Sequence, residues 1–260
     1  MVTVHNFSEG LINPVLGYAV SCLGAFLGLR CVTRAGYYQG RARARWLALA
    51  ATAIGATGIW AMHFIAMLGF TIPGQQIAYN VPVTIASMLI AIAVVGMGLF
   101  IVGFGDGGPR RLLAGGLIIG FGVATMHYLG MSAMVMPDSM SYSVPLFVLS
   151  VVIAIVAGTV ALWIGTWVRG IGATIAASLV MGVAVSGMHY TGMAAMHVYA
   201  GGMPGMSGVG AGTFLLPLVL GISVITFVLT IMISLSPNED EIRDDAEFLV
   251  RLENLQRRET

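Results

Sequence analysis

The chain has 260 residues, of which 58% are hydrophobic and 9% charged, and its mean hydropathy is +0.92. A soluble domain covers itself with about 25% charged residues, so this composition excludes a water-soluble protein and requires an integral membrane one. The basic residues are all Arg, the formal net charge is +1, and no basic stripe with interleaved aromatics occurs, which argues against nucleic-acid binding.

Residues 1–10 carry no basic side chain and do not read as a cleaved signal peptide. About 20 apolar residues span a bilayer, and seven such runs follow, at roughly 12–33, 46–70, 82–104, 112–136, 145–168, 171–197 and 214–235. The breaks between them are marked by the arginine-bearing loop 34–45, Pro73-Gly74, the segment 105–109, Pro137-Asp138, Arg169-Gly170 and the Gly-rich stretch 201–212. Cys22 and Cys31, nine residues apart in the first run, would face opposite sides of one helix roughly 13 Å apart along its axis. No disulfide can join them there, and they read as small apolar fillers. The expected fold is all-α: a polytopic membrane domain over residues 1–235 and a tail over 236–260.

Arginine counts set the expected orientation. Arg30, Arg34, Arg41, Arg43 and Arg45 flank the first loop, Arg110 and Arg111 close the third, and Arg169 lies in the fifth. The remaining four are in the tail, and the other loops and the N-terminus have none. A multi-pass membrane protein is expected, with its N-terminus outside and its C-terminus in the cytoplasm.

A short string then recurs: Met62-His63-Phe64, Met126-His127-Tyr128 and Met188-His189-Tyr190, at His-to-His intervals of 64 and 62 residues. Each lies in an outward-running span, about eight or nine residues before its end, or roughly 12–14 Å below the outer surface. The chain is thus three two-helix repeats (spans 1–2, 3–4 and 5–6) plus a seventh helix. Parallel repeats predict a pseudo-three-fold bundle in which the three His can converge on the axis.

Each His has a Met four residues on, namely Met67, Met131 and Met193, on the same helix face. The Met preceding each His points about 100° away and is the poorer ligand candidate. Small residues (Gly130 and Ala124, Gly192 and Ser186) leave room beside the second and third imidazoles, where the first repeat has Ala66 and Trp60. An ionisable group inside the membrane is expensive and marks a functional site. Imidazole suits zinc, copper, iron and nickel, and thioether selects copper(I) among them. The nearest acids, Asp106 and Asp138, lie at opposite surfaces, so a zinc hydrolase lacks its carboxylate partner. Haem iron held by paired axial ligands stays open, but three equivalent His at one depth fit copper better. Outside this set, Met136, Met140, Met203, Met206 and His197 read chiefly as fillers of the outer face, with a role in passing copper inward as the alternative. Tyr128 and Tyr190 either support the His residues by hydrogen bonding or sit as interface aromatics.

These residues resemble the MHYT domain, a bacterial seven-span membrane module named for its repeated Met-His-Tyr-Thr motif. Met188-His189-Tyr190-Thr191 matches completely, Met126-His127-Tyr128-Leu129 lacks the Thr, and Met62-His63-Phe64-Ile65 lacks Tyr and Thr. The likeness covers about residues 10–235. It implies a sensor domain that binds copper through the motif His and Met residues and detects oxygen, carbon monoxide or nitric oxide. Family members often join this module to diguanylate cyclase or cyclic-di-GMP phosphodiesterase domains; this chain, which reads to Thr260, is expected to stand alone. Its tail places Ile242, Ala246, Leu249, Leu252 and Leu255 on one helical face, which predicts a short amphipathic helix for self-association or a cytoplasmic signalling partner.

The leading expectation is therefore a membrane copper-binding gas sensor using His63, His127, His189, Met67, Met131 and Met193. The alternatives are a membrane copper enzyme or copper-handling protein, and a metal-free receptor or channel.

Overall fold

The computed structural model describes residues 2–105, 107–199, 201, 208–235 and 248. The tail helix expected over 236–260, apart from Phe248, lies outside the described residues, as do Asp106, Met203 and Met206.

Seven helices long and apolar enough to cross a membrane are present, at the seven expected places. They are α1 (Ile12–Tyr37), α2 (Gly40–Leu68), α3 (Val81–Gly103), α4 (Pro109–Ser132), α5 (Val144–Trp167), α6 (Ile171–Ala195) and α7 (Ala211–Leu235). Their starts carry ordinary local signals. The Asn80 side chain accepts a hydrogen bond from the Val83 N–H at 3.1 Å to cap α3, and α3, α4 and α5 each have Pro in the first turn. Gly170 turns the chain into α6 at φ 78°, a left-handed value that Gly adopts without a Cβ penalty.

Six of these helices form a ring. Each of α1 to α6 packs on the next, and α6 returns to α1. The even-numbered helices α2, α4 and α6 also touch one another inside the ring, the arrangement that three repeats predict. Helix α7 stands outside, against α1 and α2. The Thr57 and Thr226 hydroxyls pair across α2 and α7 at 2.8 Å, and the buried Arg34 of α1 donates to the Ile233 carbonyl near the end of α7 at 2.6 Å.

Helix α2 is the most enclosed span, and its middle is not α-helical. Ala53–Ala61 forms a nine-residue π-helix, every residue of it buried. Its neighbours come close because both sides meet at glycine. A Cβ placed on Gly24 of α1 would lie 2.3 Å from the Gly58 nitrogen, and one on Gly55 would lie 2.8 Å from the Ile92 Cα of α3. In lipid, where no hydrophobic force draws helices together, such small-residue seams supply the packing. Trp60, fully buried near the end of the π segment, donates from Nε1 to the Ser87 hydroxyl of α3 at 2.9 Å.

One end of the bundle is closed by strands that composition did not reveal. Antiparallel pairing orders β2 (Met134–Val135), β1 (Ala78–Tyr79) and β5 (Val209–Gly210) in one sheet, and β3 (Ser139–Tyr142) with β4 (Met196–Tyr199) in a second. The N-terminal segment joins this cap through a His5–Thr71 bridge and a Val2 N–H to Val198 carbonyl bond of 2.8 Å. The expected ends of the second, fourth and sixth spans are corrected by this cap. The chain leaves the helices at Leu68, Ser132 and Ala195, because extended backbone follows within a few residues: the Thr71 bridge to His5, β2 from Met134 and β4 from Met196. The His residues are thus five or six residues from their helix ends, roughly 8–9 Å along the axis and nearer those ends than expected.

Candidate metal centre

His63, His127 and His189 project from α2, α4 and α6 into the centre of the ring, each at most 2% exposed. Their convergence follows from register: with α2, α4 and α6 at alternate places in the ring, one His at a common depth on each inner face reaches the same point. His63 Nδ1 lies 3.0 Å from His189 Nδ1 and 3.2 Å from His127 Nδ1. The imidazole centroids are 4.9, 4.9 and 5.2 Å apart, with planes crossing at 76° to 86°.

One ring nitrogen from each His can be chosen so that all three lie within 4.8 Å of one another, close enough to hold one metal ion, and no other such group of His, Cys, Asp or Glu occurs among the described residues. Metal–imidazole bonds of about 2.0–2.1 Å separate neighbouring ligand nitrogens by about 3.3–3.6 Å in tetrahedral or trigonal geometry. The observed Nδ1 spacings of 3.0 and 3.2 Å need to open by only a few tenths. His63 Nε2 and His127 Nε2 are buried without a hydrogen-bond partner. The donor set therefore fits a metal that takes neutral imidazole.

What turns the rings is a glycine from the following repeat. A Cβ on Gly130 would lie 2.6 Å from His63 Nε2, and one on Gly192 would lie 2.3 Å from His127 Nε2. Both glycines sit three residues after their own His, where the first repeat has Ala66. The sequence reading put this space beside the repeat's own imidazole; across the ring it serves the preceding repeat's. The signal was the recurrent small residue at i+3, and its partner became visible only with the ring order.

The aromatic after each His stands edge-on to it. Phe64, Tyr128 and Tyr190 lie 4.7, 4.9 and 4.9 Å from their own imidazoles. The Tyr128 hydroxyl pairs with the Ser150 hydroxyl of α5 at 2.7 Å, so this Tyr ties α4 to α5. The Tyr190 hydroxyl is buried with no partner. Behind Tyr128, the pKa of Tyr142 in the cap is pushed up to about 12 by burial and then by its neighbour Tyr128, so Tyr142 stays neutral in the working pH range.

Met67, Met131 and Met193 are all buried in the core, one turn beyond the His residues toward the strand cap. The Met before the first His turns elsewhere: Met62 packs where α1 exposes Gly17, its Cγ 3.5 Å from a Cβ placed there. Met136, read from sequence as an outer-face residue, is core at 5% exposure, and in the β3–β4 pair Met140 lies opposite Val198 and His197 opposite Ser141.

Three segments, residues 57–116, 120–178 and 182–242, match the family described as MHYT, bacterial signalling protein N terminal repeat. The chain belongs to the MHYT family. Each matched MHYT segment begins six or seven residues before its His and runs through the next helix, a different phase of the same period. Among MHYT relatives, the chain is 36% identical over 231 residues to the bifunctional diguanylate cyclase/cyclic di-GMP phosphodiesterase MucR of Pseudomonas aeruginosa, covering 86% of this chain and 33% of MucR. It is 37% identical over 196 residues to the cyclic di-GMP phosphodiesterase NbdA of the same organism (73% and 24%). To the signaling protein YkoW of Bacillus subtilis it is 29% identical over 192 residues (69% and 23%). The chain thus spans about a third or less of these relatives. No solved structure matches it.

Proposed function

We propose that this MHYT protein is a membrane sensor in which His63, His127 and His189 hold one copper ion and the centre responds to a diatomic gas such as oxygen, carbon monoxide or nitric oxide. The observation that carries this reading is the convergence of three buried imidazoles at hydrogen-bond spacing with no carboxylate in the group. Met67, Met131 and Met193 complete a soft donor set, which selects copper(I) over zinc. Haem is disfavoured because imidazoles about 5 Å apart centre to centre leave no room for a macrocycle between two axial ligands. When bound, the ion supplies a coordination position for the gas. Burial under the strand cap suits a small ligand better than the larger substrate of an enzyme.

The protein's own part is to hold the rings and carry their movement. A shift of His63 is felt in α2, and through the Thr57–Thr226 pair in α7, whose far end Arg34 secures. The arginine pattern supports an N-terminus outside and a cytoplasmic C-terminus. The named activities of MucR and NbdA support an output into cyclic di-GMP signalling, through a partner or through self-association of the tail.

Infrared spectroscopy of the copper(I)-loaded protein under carbon monoxide tests this reading. A stoichiometric copper–carbonyl band that is lost in His127→Ala is expected. Copper-loaded protein that takes up neither carbon monoxide nor nitric oxide nor oxygen would overturn the gas-sensing role.

A further inference from the structure

The bundle holds an apolar cavity of about 90 Å³ on the side of the His triad away from the strand cap. Every side chain lining it is aliphatic, Met or Gly, with no nitrogen, oxygen or aromatic ring among them. Its relation to the triad is regular. Ile59, Val123 and Val185 all line it, and each precedes one of the three His by four residues, one helical turn. The three repeats therefore build the same layer twice: imidazoles above, branched aliphatics below, and the cavity against the second layer.

The cavity also reaches outward. Val160 of α5 and Val180 of α6 line it and are exposed, at 40% and 56%, on the surface that faces lipid, whereas Ile119, Val123 and Leu99 close its inner side and are buried. It is a passage from the acyl chains to the floor of the triad, between α5 and α6.

The geometry points to this passage as an entry and docking chamber for a small apolar molecule of diatomic size. Water needs two to four polar partners to stay in a cavity, and no side chain lining this one supplies any; an apolar cavity of about 150 Å³ admits benzene or xenon, so this one of about 90 Å³ admits a guest of xenon size or smaller. Apolar gases enrich in hydrocarbon, so a mouth facing lipid draws on the richer source. The choice of a diatomic occupant rests on the reading of the triad as a gas-responding centre; the chamber itself does not.

Xenon is the probe that separates the two. Under xenon pressure the full-length protein is expected to show saturable binding by xenon-129 NMR. Ala184→Phe and Ala157→Phe, two variants that fill the chamber from α6 and α5 near its mouth, are expected to lose it. Both are expected to retain wild-type copper content while taking up carbon monoxide roughly tenfold more slowly, since access sets the on-rate. Two variants on different helices guard against one failing to fold. Wild-type protein that binds no xenon, or filled variants that take up carbon monoxide at the wild-type rate, would overturn the chamber. Protein that binds xenon but no copper would support the chamber and remove the copper centre.

Discussion

Replacing Gly192 with Ala is expected to abolish stoichiometric metal loading while the bundle still folds. The new Cβ would stand 2.3 Å from His127 Nε2 and 2.9 and 3.2 Å from two ring carbons, and real Cβ atoms do not approach so closely. The imidazole must tilt or withdraw, yet it is hemmed in by Tyr128, His63 and His189 at centroid distances of 4.9, 4.9 and 5.2 Å. Metal sites tolerate about ±0.2 Å in ligand distance, so a displacement of several tenths breaks the site. Overpacking of this kind costs about 1–3 kcal/mol, which a seven-helix bundle with intact seams survives. Gly130→Ala should act likewise on His63, where the corresponding distance is 2.6 Å. Gly187→Ala, on the same helix as Gly192 but with nothing within 4 Å, is the control and should load normally. Copper per chain, measured beside helicity and elution volume, separates loss of the site from loss of the fold.

Gly24→Ala is expected to be the most destabilising small substitution in the ring. Its Cβ would meet backbone: the Gly58 nitrogen at 2.3 Å, the Gly58 Cα at 2.5 Å and the Ala53 carbonyl oxygen at 2.7 Å. A side chain can rotate away from an intruder; helical backbone cannot. Helix α1 must therefore separate from the π segment of α2, opening the seam that locates His63. The expected cost is about 1–3 kcal/mol or more, read as a lowered Tm in detergent, together with reduced copper content. Gly36→Ala, in the same helix with no atom within 4 Å, should leave both unchanged.

The membrane fold was legible because its signals are local. Each span is a run of apolar residues bounded by Pro, Gly or Arg, and its position needs no knowledge of its neighbours. The convergence of His63, His127 and His189 was legible for a related reason: equal period and equal direction bring equal residues to one depth. What escaped was set by contacts between distant segments. The strand cap pairs residues such as Tyr79 with Met134 and Val209, two-residue strands with no period of their own to read. The π segment 53–61 looks in sequence like any small-residue helix, and its register follows from Gly24 and Ile92 pressing on either side. Gly130 and Gly192 were visible as small residues, but which imidazole each admits depends on the order of helices around the ring. The placement of α7 rests on Thr57, Thr226 and Arg34, ordinary residues until the helices meet.

Elemental analysis decides whether the three His residues hold one metal ion. The wild-type protein and a His63→Ala, His127→Ala, His189→Ala triple variant would be expressed with copper, iron and zinc all supplied, then purified side by side. Stoichiometric copper in the wild type and none in the variant is the expected result. No metal in the wild type, or equal copper in both proteins, would contradict it and return the triad to a hydrogen-bonded cluster.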